Sequence, residues 1–275
     1  MCIAIPFIEQ IRLRKPRGAS VESVKHPKWA WPYTRLKMAW GYTEPYGSTL
    51  RRAFLVFSWF YLKTEEGLAD VYYRRRGLHT LGRDLELYPA QSSLNGYAPT
   101  RWRVLREVFR NCSIDSHDVL LEYGSGKGRA VIWAAANFPF RRVIGVELNE
   151  QLHEEAAANL ARWNGRLLCG DTLLACADAT EFEVPDDVTI VYLFNPFTGD
   201  TFRKVVARIE KSLAREPRSL LVIYCNPLMH DALIDAGFSI DRQRITPPHE
   251  WAIYRHSGSQ TSLLDDARLE AKSRA

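Results

Sequence analysis

The sequence predicts an α/β fold: a doubly wound, mostly parallel sheet with helices on both faces, preceded by an N-terminal helical or irregular extension. Three observations predict it. Segments of strand length alternate with segments of helix length from residue 118 onwards, the pattern of parallel strands joined by crossover helices. Two strands, 188–197 and 219–227, are continuous apolar runs, as expected where helices cover both faces of a sheet. A glycine-rich turn over residues 124–128 joins the first strand to the first crossover helix.

The predicted elements follow in chain order. A helix is expected at 51–76 and, after a loop over 77–99, another at 101–111, which Thr100 can cap. The seven predicted strands cover residues 118–123, 142–148, 166–171, 188–197, 219–227, 239–246 and 250–257. The helices between them cover residues 127–138, 149–163, 201–213 and 230–238.

Length and composition are those of one soluble domain with an extension. The 275 residues suffice for a domain of up to about 200 residues, and 46% are apolar and 25% charged. We therefore expect an extension at 1–99, the domain at 100–257 and a polar tail at 258–275. The five cysteines form no C-x-x-C pair, which favours reduced thiols in the cytoplasm and gives no support to a metal site.

No transmembrane segment is predicted. The longest apolar run, Ala53–Leu62, has ten residues, whereas a spanning helix needs about 20. The run is typical either of a buried helix or of one lying on a membrane surface. No cleavable signal is expected, because the basic residues follow the first apolar stretch instead of preceding it.

The net charge of +5 is concentrated at the N-terminus. Residues 1–52, here called the basic segment, hold ten Lys or Arg against three Glu, a balance of +7 that leaves −2 for the remainder. Such a segment predicts contact with an acidic partner, which is nucleic acid, anionic lipid or an acidic protein. The alternative is a solvated arm without a partner.

The glycine turn, residues 124–128, differs from a dinucleotide-binding motif in two ways. Dinucleotide enzymes use G-x-G-x-x-G, whereas this turn reads G-x-G-x-G and Arg129 occupies the place of the third dinucleotide glycine. Glu122 ends the preceding strand, where a carboxylate would repel a pyrophosphate and suit an ammonium group. The turn therefore predicts a ligand with a cationic head and no phosphates.

Three further strand ends carry polar residues. Glu147 ends the second strand, where a carboxylate can accept both hydroxyl protons of a ribose. Asp171 follows the predicted third strand and can accept a hydrogen bond from an adenine amino group. The fourth strand ends in "FNPF", which predicts that Asn195 and Phe197 lie at the crevice.

With these motifs the chain resembles the class I S-adenosylmethionine-dependent methyltransferases over roughly residues 97–255. "EYGSGKG" is similar to their first motif, "GVEL" to their second-strand end, "GD" to their adenine-side acid and "FNPF" to their fourth-strand motif. The resemblance implies S-adenosylmethionine as cofactor and a seven-strand sheet whose last strand is antiparallel. It implies a cofactor site built from Glu122, Gly124, Ser125, Gly126, Gly128, Glu147, Asp171 and Asn195. In that site Glu122 holds the methionine ammonium, Glu147 the ribose and Asp171 the adenine.

A narrower resemblance concerns the segment ahead of the domain. "NGYAPT" and "GSGKGR" resemble the seven-strand histone lysine methyltransferases and related bacterial proteins, which implies that Tyr97 and Thr100 approach the methionine end. "FNPF" resembles the N/D-P-P-F/Y motif of enzymes that methylate planar amino groups, with Phe197 in place of the second proline. The resemblance implies catalytic roles for Asn195 and Phe197 and a nitrogen on an unidentified methyl acceptor, with oxygen and carbon acceptors left open.

Two other classes of function stay open at this stage. One is a nicotinamide-dependent oxidoreductase, which the missing third glycine and Glu122 disfavour. The other is a non-catalytic protein with a methyltransferase-like core that places the basic segment on a membrane or polyanion. The complete set of acidic strand ends disfavours the second class.

Overall fold

The computed structural model describes residues 63–84, 87–88, 92–245 and 250–258. Residues 63–74 are helical and form α1. The elements that follow are α2 Trp102–Arg110, β1 Val119–Tyr123, α3 Arg129–Asn137, β2 Arg142–Glu147, α4 Glu150–Arg162, β3 Asp171–Cys176, β4 Ile190–Leu193, α5 Gly199–Arg215, β5 Leu220–Cys225, α6 His230–Asp235, β6 Ser239–Arg244 and β7 Trp251–His256. The basic segment and the Ala53–Leu62 run lie outside the described residues.

The strands form one seven-stranded sheet in the order β3-β2-β1-β4-β5-β7-β6. Strands β1 to β5 are parallel, and β7 runs antiparallel to both of its neighbours, β5 and β6. The prediction of a doubly wound, mostly parallel sheet is confirmed. The strand order reverses between β1 and β4, and ligands of such sheets bind in the crevice beyond the carboxyl ends of the strands at that point.

Helices cover both faces of the sheet, and the core therefore has two halves. Every residue of β1 and β4 is buried, as in parallel strands that pack on two sides. Tyr123 faces the half that contains Phe202 of α5, whereas Leu120 faces the half that contains Phe109 of α2. Within the described part of the chain, none of the helices has the length and apolar character that crossing a membrane requires.

The third strand lies five residues later than predicted, at Asp171–Cys176 instead of 166–171. The N–H groups of Leu168 and Cys169 both donate to the carbonyl of Ala135 at 2.8 and 3.0 Å, so this apolar stretch is a connection anchored to α3. Asp171 consequently begins β3 and pairs with Arg142, the first residue of β2. It lies at the amino edge of the sheet, opposite the crevice.

The N-terminus of α2 is capped by another helix and not by Thr100. Its N-cap residue is Arg101, which makes no side-chain cap. The carboxylate of Glu66 in α1 accepts from the N–H groups of Trp102 and Arg103 at 3.0 and 2.9 Å. A carboxylate at this position satisfies free donors and complements the positive end of the helix dipole. Helix α1 is thereby joined to α2. The predicted boundary between the extension and the domain, at residues 99 and 100, stays a prediction.

Candidate active site

The glycine turn follows β1 directly and needs glycine for its backbone. Gly124, Gly126 and Gly128 have φ values of 70°, 53° and 77°, in the left-handed region that side chains disfavour. The N–H groups of Gly124 and Ser125 both donate to the carbonyl of Val146 in β2, at 2.8 and 3.1 Å. The turn is therefore held at the carboxyl ends of β1 and β2.

Protein atoms occupy the space that side chains on these glycines would need. A Cβ built on Gly124 would lie 2.5 Å from Pro196 Cβ, and one on Gly126 would lie 2.6 Å from Tyr97 Cε2. A Cβ on Gly128 would lie 3.2 Å from Ala156 Cβ in α4. The turn thus receives the ring of Tyr97 and the proline after β4. Close approach of its backbone to a cofactor stays a prediction.

Glu147 fastens the glycine turn to the neighbouring helix. Its side chain ends β2 and is buried, with Oε2 accepting from the Gly126 N–H at 2.8 Å and Oε1 accepting from the Asn149 N–H at 2.9 Å. Burial raises the pKa of Glu147, while these backbone hydrogen bonds lower it. Each carboxylate oxygen can accept a second hydrogen bond. Glu147 can therefore support the turn and still accept from a ligand hydroxyl group.

Glu122 is a buried carboxyl group with a free oxygen. Its side chain is 5% exposed, and Oε2 has no hydrogen-bond partner within the described residues. Burial raises the pKa of Glu122 well above its ordinary value, a backbone hydrogen bond from Val131 lowers it, and the charge of Glu147 raises it further. A buried carboxylate without a partner is costly. This group is therefore stabilised either by a proton or by a cation beside it.

The segment of residues 92–100, here called the docking segment, lies against the end of β4. The Asn95 N–H donates to the Pro196 carbonyl at 2.8 Å, and Asn95 Nδ2 donates to the Asn195 carbonyl at 2.7 Å. Two residues after Pro196, the Thr198 N–H donates to the Ser93 carbonyl at 2.7 Å. The docking segment is therefore fixed beside Asn195, the residue predicted to contact the methyl acceptor. Its amide residue Asn95 was not singled out from the sequence.

Tyr97 and Thr100 occupy different depths. The Tyr97 ring lies on the glycine turn at Gly126, and its hydroxyl donates to the Thr80 carbonyl at 2.8 Å. Thr100 Oγ1 lies 3.0 Å from the hydroxyl of Tyr192, and both side chains are buried. The structure thus brings Tyr97 to the glycine turn, whereas Thr100 lies beneath it against β4.

Arg129 joins the segments ahead of the sheet to the glycine turn. It is 6% exposed and donates from Nε to Thr80 Oγ1 at 2.7 Å, from Nη1 to the Thr100 carbonyl at 3.1 Å and from Nη2 to Asp70 Oδ1 at 3.1 Å. Its guanidinium also lies 4.1 Å from the ring centre of Trp102. In the sequence, Arg129 stands out only because dinucleotide enzymes have a glycine at this place. That difference predicts no role for the arginine side chain.

Asn195 lies at the crevice, but Phe197 does not. Asn195 has a φ of 46°, and its Oδ1 accepts from the Tyr224 hydroxyl at 3.3 Å. Phe197 is 4% exposed and packs in the core, with ring centres 6.3 Å from Tyr123 and 6.1 Å from Phe202. The expected catalytic position of Phe197 is wrong, because β4 ends at Leu193 and the chain turns Phe197 inward after Pro196.

Asp171 is also far from the crevice. Its side chain is 64% exposed and pairs with Arg142 at 3.4 Å. Glu147 pairs with Cys176, at the other end of β3, which places Asp171 about 17 Å away at 3.3 Å per residue. The acid beyond the carboxyl end of β3 is Asp178, whose Oδ1 accepts from the N–H and hydroxyl of Thr180 at 2.7 and 2.8 Å. The expected role of Asp171 is therefore wrong, and a correct position for β3 would have identified Asp178.

Two comparisons match part of this chain to known proteins. A family model described as histone methylation protein DOT1 matches residues 74–169, which contain Tyr97, the glycine turn and Glu147 and end before Asn195. A protein-lysine N-methyltransferase of Saccharolobus islandicus is 30% identical over 98 residues, or 36% of this chain and 58% of that protein. The chain thus spans less than two thirds of that relative's length. The matches confirm the resemblance to class I methyltransferases.

Solved structures of similar shape include two methyltransferases. One is an RNA methyltransferase from Salinibacter ruber in complex with S-adenosyl-L-homocysteine, with 20% identity, a TM-score of 0.42 and coverage of 59% of this chain and 95% of that chain. The other is a precorrin-6y C5,15-methyltransferase from Geobacter metallireducens, with 15% identity and a TM-score of 0.46. The match covers 61% of this chain and 94% of that chain.

Proposed function

We propose that this chain is an S-adenosylmethionine-dependent methyltransferase that acts on an amine nitrogen. The observation that carries the proposal is Glu122, a buried carboxyl group with a free oxygen at the carboxyl end of β1. The cofactor fits this site because its ammonium group supplies the cation that the carboxylate needs. When bound, the cofactor supplies an electrophilic methyl group.

The chain's own residues bind and orient the cofactor and its acceptor. Glu147 offers its remaining acceptor capacity to the ribose hydroxyls while it holds Gly126. Asp178 takes the adenine-side place expected of Asp171, because it follows β3 at the crevice edge. Tyr97, fixed on the glycine turn, covers the methionine end. Alignment of this kind accounts for most of the catalysis in a displacement between two bound groups.

The acceptor is proposed to be the amine nitrogen of a protein side chain. An amide oxygen accepts hydrogen bonds from N–H groups, and Asn195 Oδ1 lies at the crevice in a position set by the Tyr224 hydroxyl. The printed name of the relative, protein-lysine N-methyltransferase, also supports an amine acceptor. A variant with Asn195→Ala is expected to lose turnover and to keep its cofactor affinity within a few-fold.

The experiment begins with binding. Calorimetric titration with S-adenosylmethionine and S-adenosylhomocysteine should give one site per chain, and a hundredfold excess over Kd should stabilise the fold by about 2.7 kcal/mol. NADH serves as the control ligand and should not bind. A screen for S-adenosylhomocysteine release over protein, nucleic-acid and small-molecule pools then identifies the acceptor class. Absence of heat and of a thermal shift at millimolar cofactor would contradict the proposal.

An anionic partner for this chain is proposed as well. A groove of about 470 Å³ is lined by Arg75, Arg76 and Arg166 together with Tyr72 and Trp163, and its lining holds no acidic side chain. It lies at the carboxyl ends of three helices, at the edge of the sheet away from the crevice. This groove adds to the positive charge of residues 1–52. If charge recruits the substrate, the apparent KM should rise with salt, because the Debye length is about 10 Å at 0.1 M.

A further inference from the structure

Two Asn-Pro pairs end neighbouring strands of the sheet. Asn195-Pro196 follows β4, and Asn226-Pro227 follows β5. The last paired residues of the two strands are Leu193 and Tyr224, so each asparagine lies two residues beyond the same register position. The two asparagines therefore lie at the same edge of the sheet, beyond adjacent strands that are about 4.8 Å apart.

Both asparagines adopt a backbone conformation that favours glycine. Their φ values are 46° for Asn195 and 55° for Asn226, and no other non-glycine residue in the described ranges has a positive φ. This backbone conformation is less favourable for a residue with a side chain than for glycine, although asparagine tolerates it better than most residues. Strained positions of this kind cluster at ligand sites, where the side chain supplies what glycine cannot.

The two amide oxygens have different surroundings. Asn195 Oδ1 accepts from the Tyr224 hydroxyl at 3.3 Å. Asn226 Oδ1 is buried and has no hydrogen-bond partner within the described residues. The Asn226 backbone is held, with its N–H donating to the Glu250 carbonyl at 2.8 Å and its carbonyl accepting from Leu228 at 2.9 Å. A fixed backbone with a free amide oxygen is an acceptor group kept available at one position.

Tyr224 connects the two turns. Its hydroxyl donates to Asn195 Oδ1, and the backbone of Met229 and of Leu228 hydrogen-bonds to the same hydroxyl. The turn after β5 therefore helps to set the position of the Asn195 amide. The two turns that hold the asparagines are thereby joined at the carboxyl edge of the sheet.

We propose that Asn226 is a second acceptor-binding residue, whose Oδ1 and Asn195 Oδ1 accept hydrogens from the same nitrogen at the methyl-transfer position. The proposal rests on the proposed function. Two oxygen acceptors on one nitrogen require a nitrogen with at least two hydrogens. The substrate class is therefore a nitrogen that still carries two hydrogens, as a neutral primary amine does, and a nitrogen that carries a single hydrogen cannot use both oxygens.

The test uses sinefungin, which carries a primary amine where the cofactor carries its transferable methyl group. The ratio of the sinefungin Kd to the S-adenosylhomocysteine Kd reports on oxygens beside that amine. The measurement needs neither a methyl acceptor nor turnover. Asn226→Gly keeps the positive φ at no steric cost and removes the amide. We expect the sinefungin Kd to rise about tenfold, the effect of one good hydrogen bond to a charged group, while the S-adenosylhomocysteine Kd changes less than twofold. Asn111→Gly, at the end of α2 and outside both proposed binding regions, is the control and should change neither.

The outcomes separate this inference from the proposed function. If the wild-type protein binds neither ligand, the proposed function itself fails. If the wild type binds both and Asn226→Gly weakens both equally or neither, the role of Asn226 is wrong and the proposed function stands. Should Asn226→Gly fail to fold in a thermal melt, Asn226→Asp decides, since a carboxylate there must tighten sinefungin selectively. An unchanged ratio of the two dissociation constants in that variant overturns the inference.

Discussion

The ring of Tyr97 lies directly against Gly126, where a Cβ would come within 2.6 Å of Tyr97 Cε2. The Tyr97 hydroxyl donates to the carbonyl of Thr80, so the ring cannot turn aside without breaking a buried hydrogen bond. This contact joins the docking segment to the glycine turn. Any side chain at residue 126 must therefore displace either the docking segment or the glycine turn.

Gly126→Ala should therefore destabilise the fold more than Gly199→Ala. The two glycines have φ values of 53° and 60°, but no atom of the described residues lies within 4 Å of a Cβ on Gly199. Both variants lose about 1–2 kcal/mol to the left-handed backbone, and only Gly126→Ala adds an overpacking cost of about 1–3 kcal/mol. Urea denaturation of both variants measures the difference. Equal losses would show that Tyr97 moves freely.

Glu122→Gln should stabilise the protein without ligand at neutral pH. Burial raises the pKa of Glu122, so the folded state keeps this proton above the unfolded value of about 4.3. The free energy of unfolding therefore falls as pH rises from about 4.3 towards the raised pKa, and glutamine removes that loss. Thermal melts at pH 4 and pH 7 should show a gain at pH 7 only. A gain of equal size at both values would indicate an effect unrelated to ionisation.

The same variant should bind the cofactor more weakly and with a smaller pH dependence, since only the raised pKa of Glu147 then remains in the site. Because the ammonium group requires the ionised carboxylate, wild-type affinity should rise with pH through the raised pKa and level off above it. Loss of a charge-assisted hydrogen bond predicts a Kd roughly ten- to a hundredfold higher for Glu122→Gln. Calorimetry in buffers of different ionisation enthalpy detects the proton released by the wild type. A proton release of equal size by the variant would exclude Glu122 as its source.

Three acidic residues should rank in a fixed order for cofactor binding. Glu147→Ala is expected to raise Kd most, because a carboxylate on two hydroxyls makes charge-assisted bonds worth about 1.5–3 kcal/mol each. Asp178→Ala should have a smaller effect, since water can serve an exposed adenine amino group. Asp171→Ala is the control at the opposite edge and should leave Kd unchanged. An effect of Asp171→Ala on Kd would reject this placement of β3.

Arg129→Lys should destabilise the protein by about 3 kcal/mol. Lysine cannot donate in the three directions that Asp70, Thr80 and Thr100 require, and it loses the flat contact with Trp102. Arg203→Lys is the control, because its ion pair with Asp200 is exposed and such changes stay within about 0.5 kcal/mol. Chemical denaturation of both variants gives the comparison, and equal effects would refute a special role for Arg129.

The sequence predicted most of the sheet because local signals set its elements. Helix α4 was expected at 149–163 and covers Glu150–Arg162, since the Asn149 side chain accepts from the Leu152 N–H and starts the helix. The third strand failed because two apolar stretches of similar length, 166–170 and Asp171–Cys176, follow one another. Hydrogen bonds of Leu168 and Cys169 to Ala135 decide between them, and no local pattern contains that information.

The site was predicted in part for the same reason. Glu122, Glu147 and the glycine turn lie at strand ends, which periodicity locates well. The docking segment binds Asn195 across 100 residues of sequence, so its position could not be derived from spacing. Phe197 was misplaced because β4 ends at Leu193, and the direction of a side chain beyond a strand end depends on the turn that follows.

The contacts of Arg129 and Asn159 also have a consequence for protein synthesis. Asp70 precedes Arg129 by 59 residues, and His79 precedes Asn159, which bonds both of its backbone groups, by 80 residues. Translation proceeds at about 5–20 residues per second, so the ribosome makes His79 roughly 4–16 s before Asn159 exists. Ala69 and Tyr73, which pack against the finished core, lack part of that core throughout this interval. Each nascent chain therefore passes through a window of seconds in which α1 is a target for chaperones and proteases.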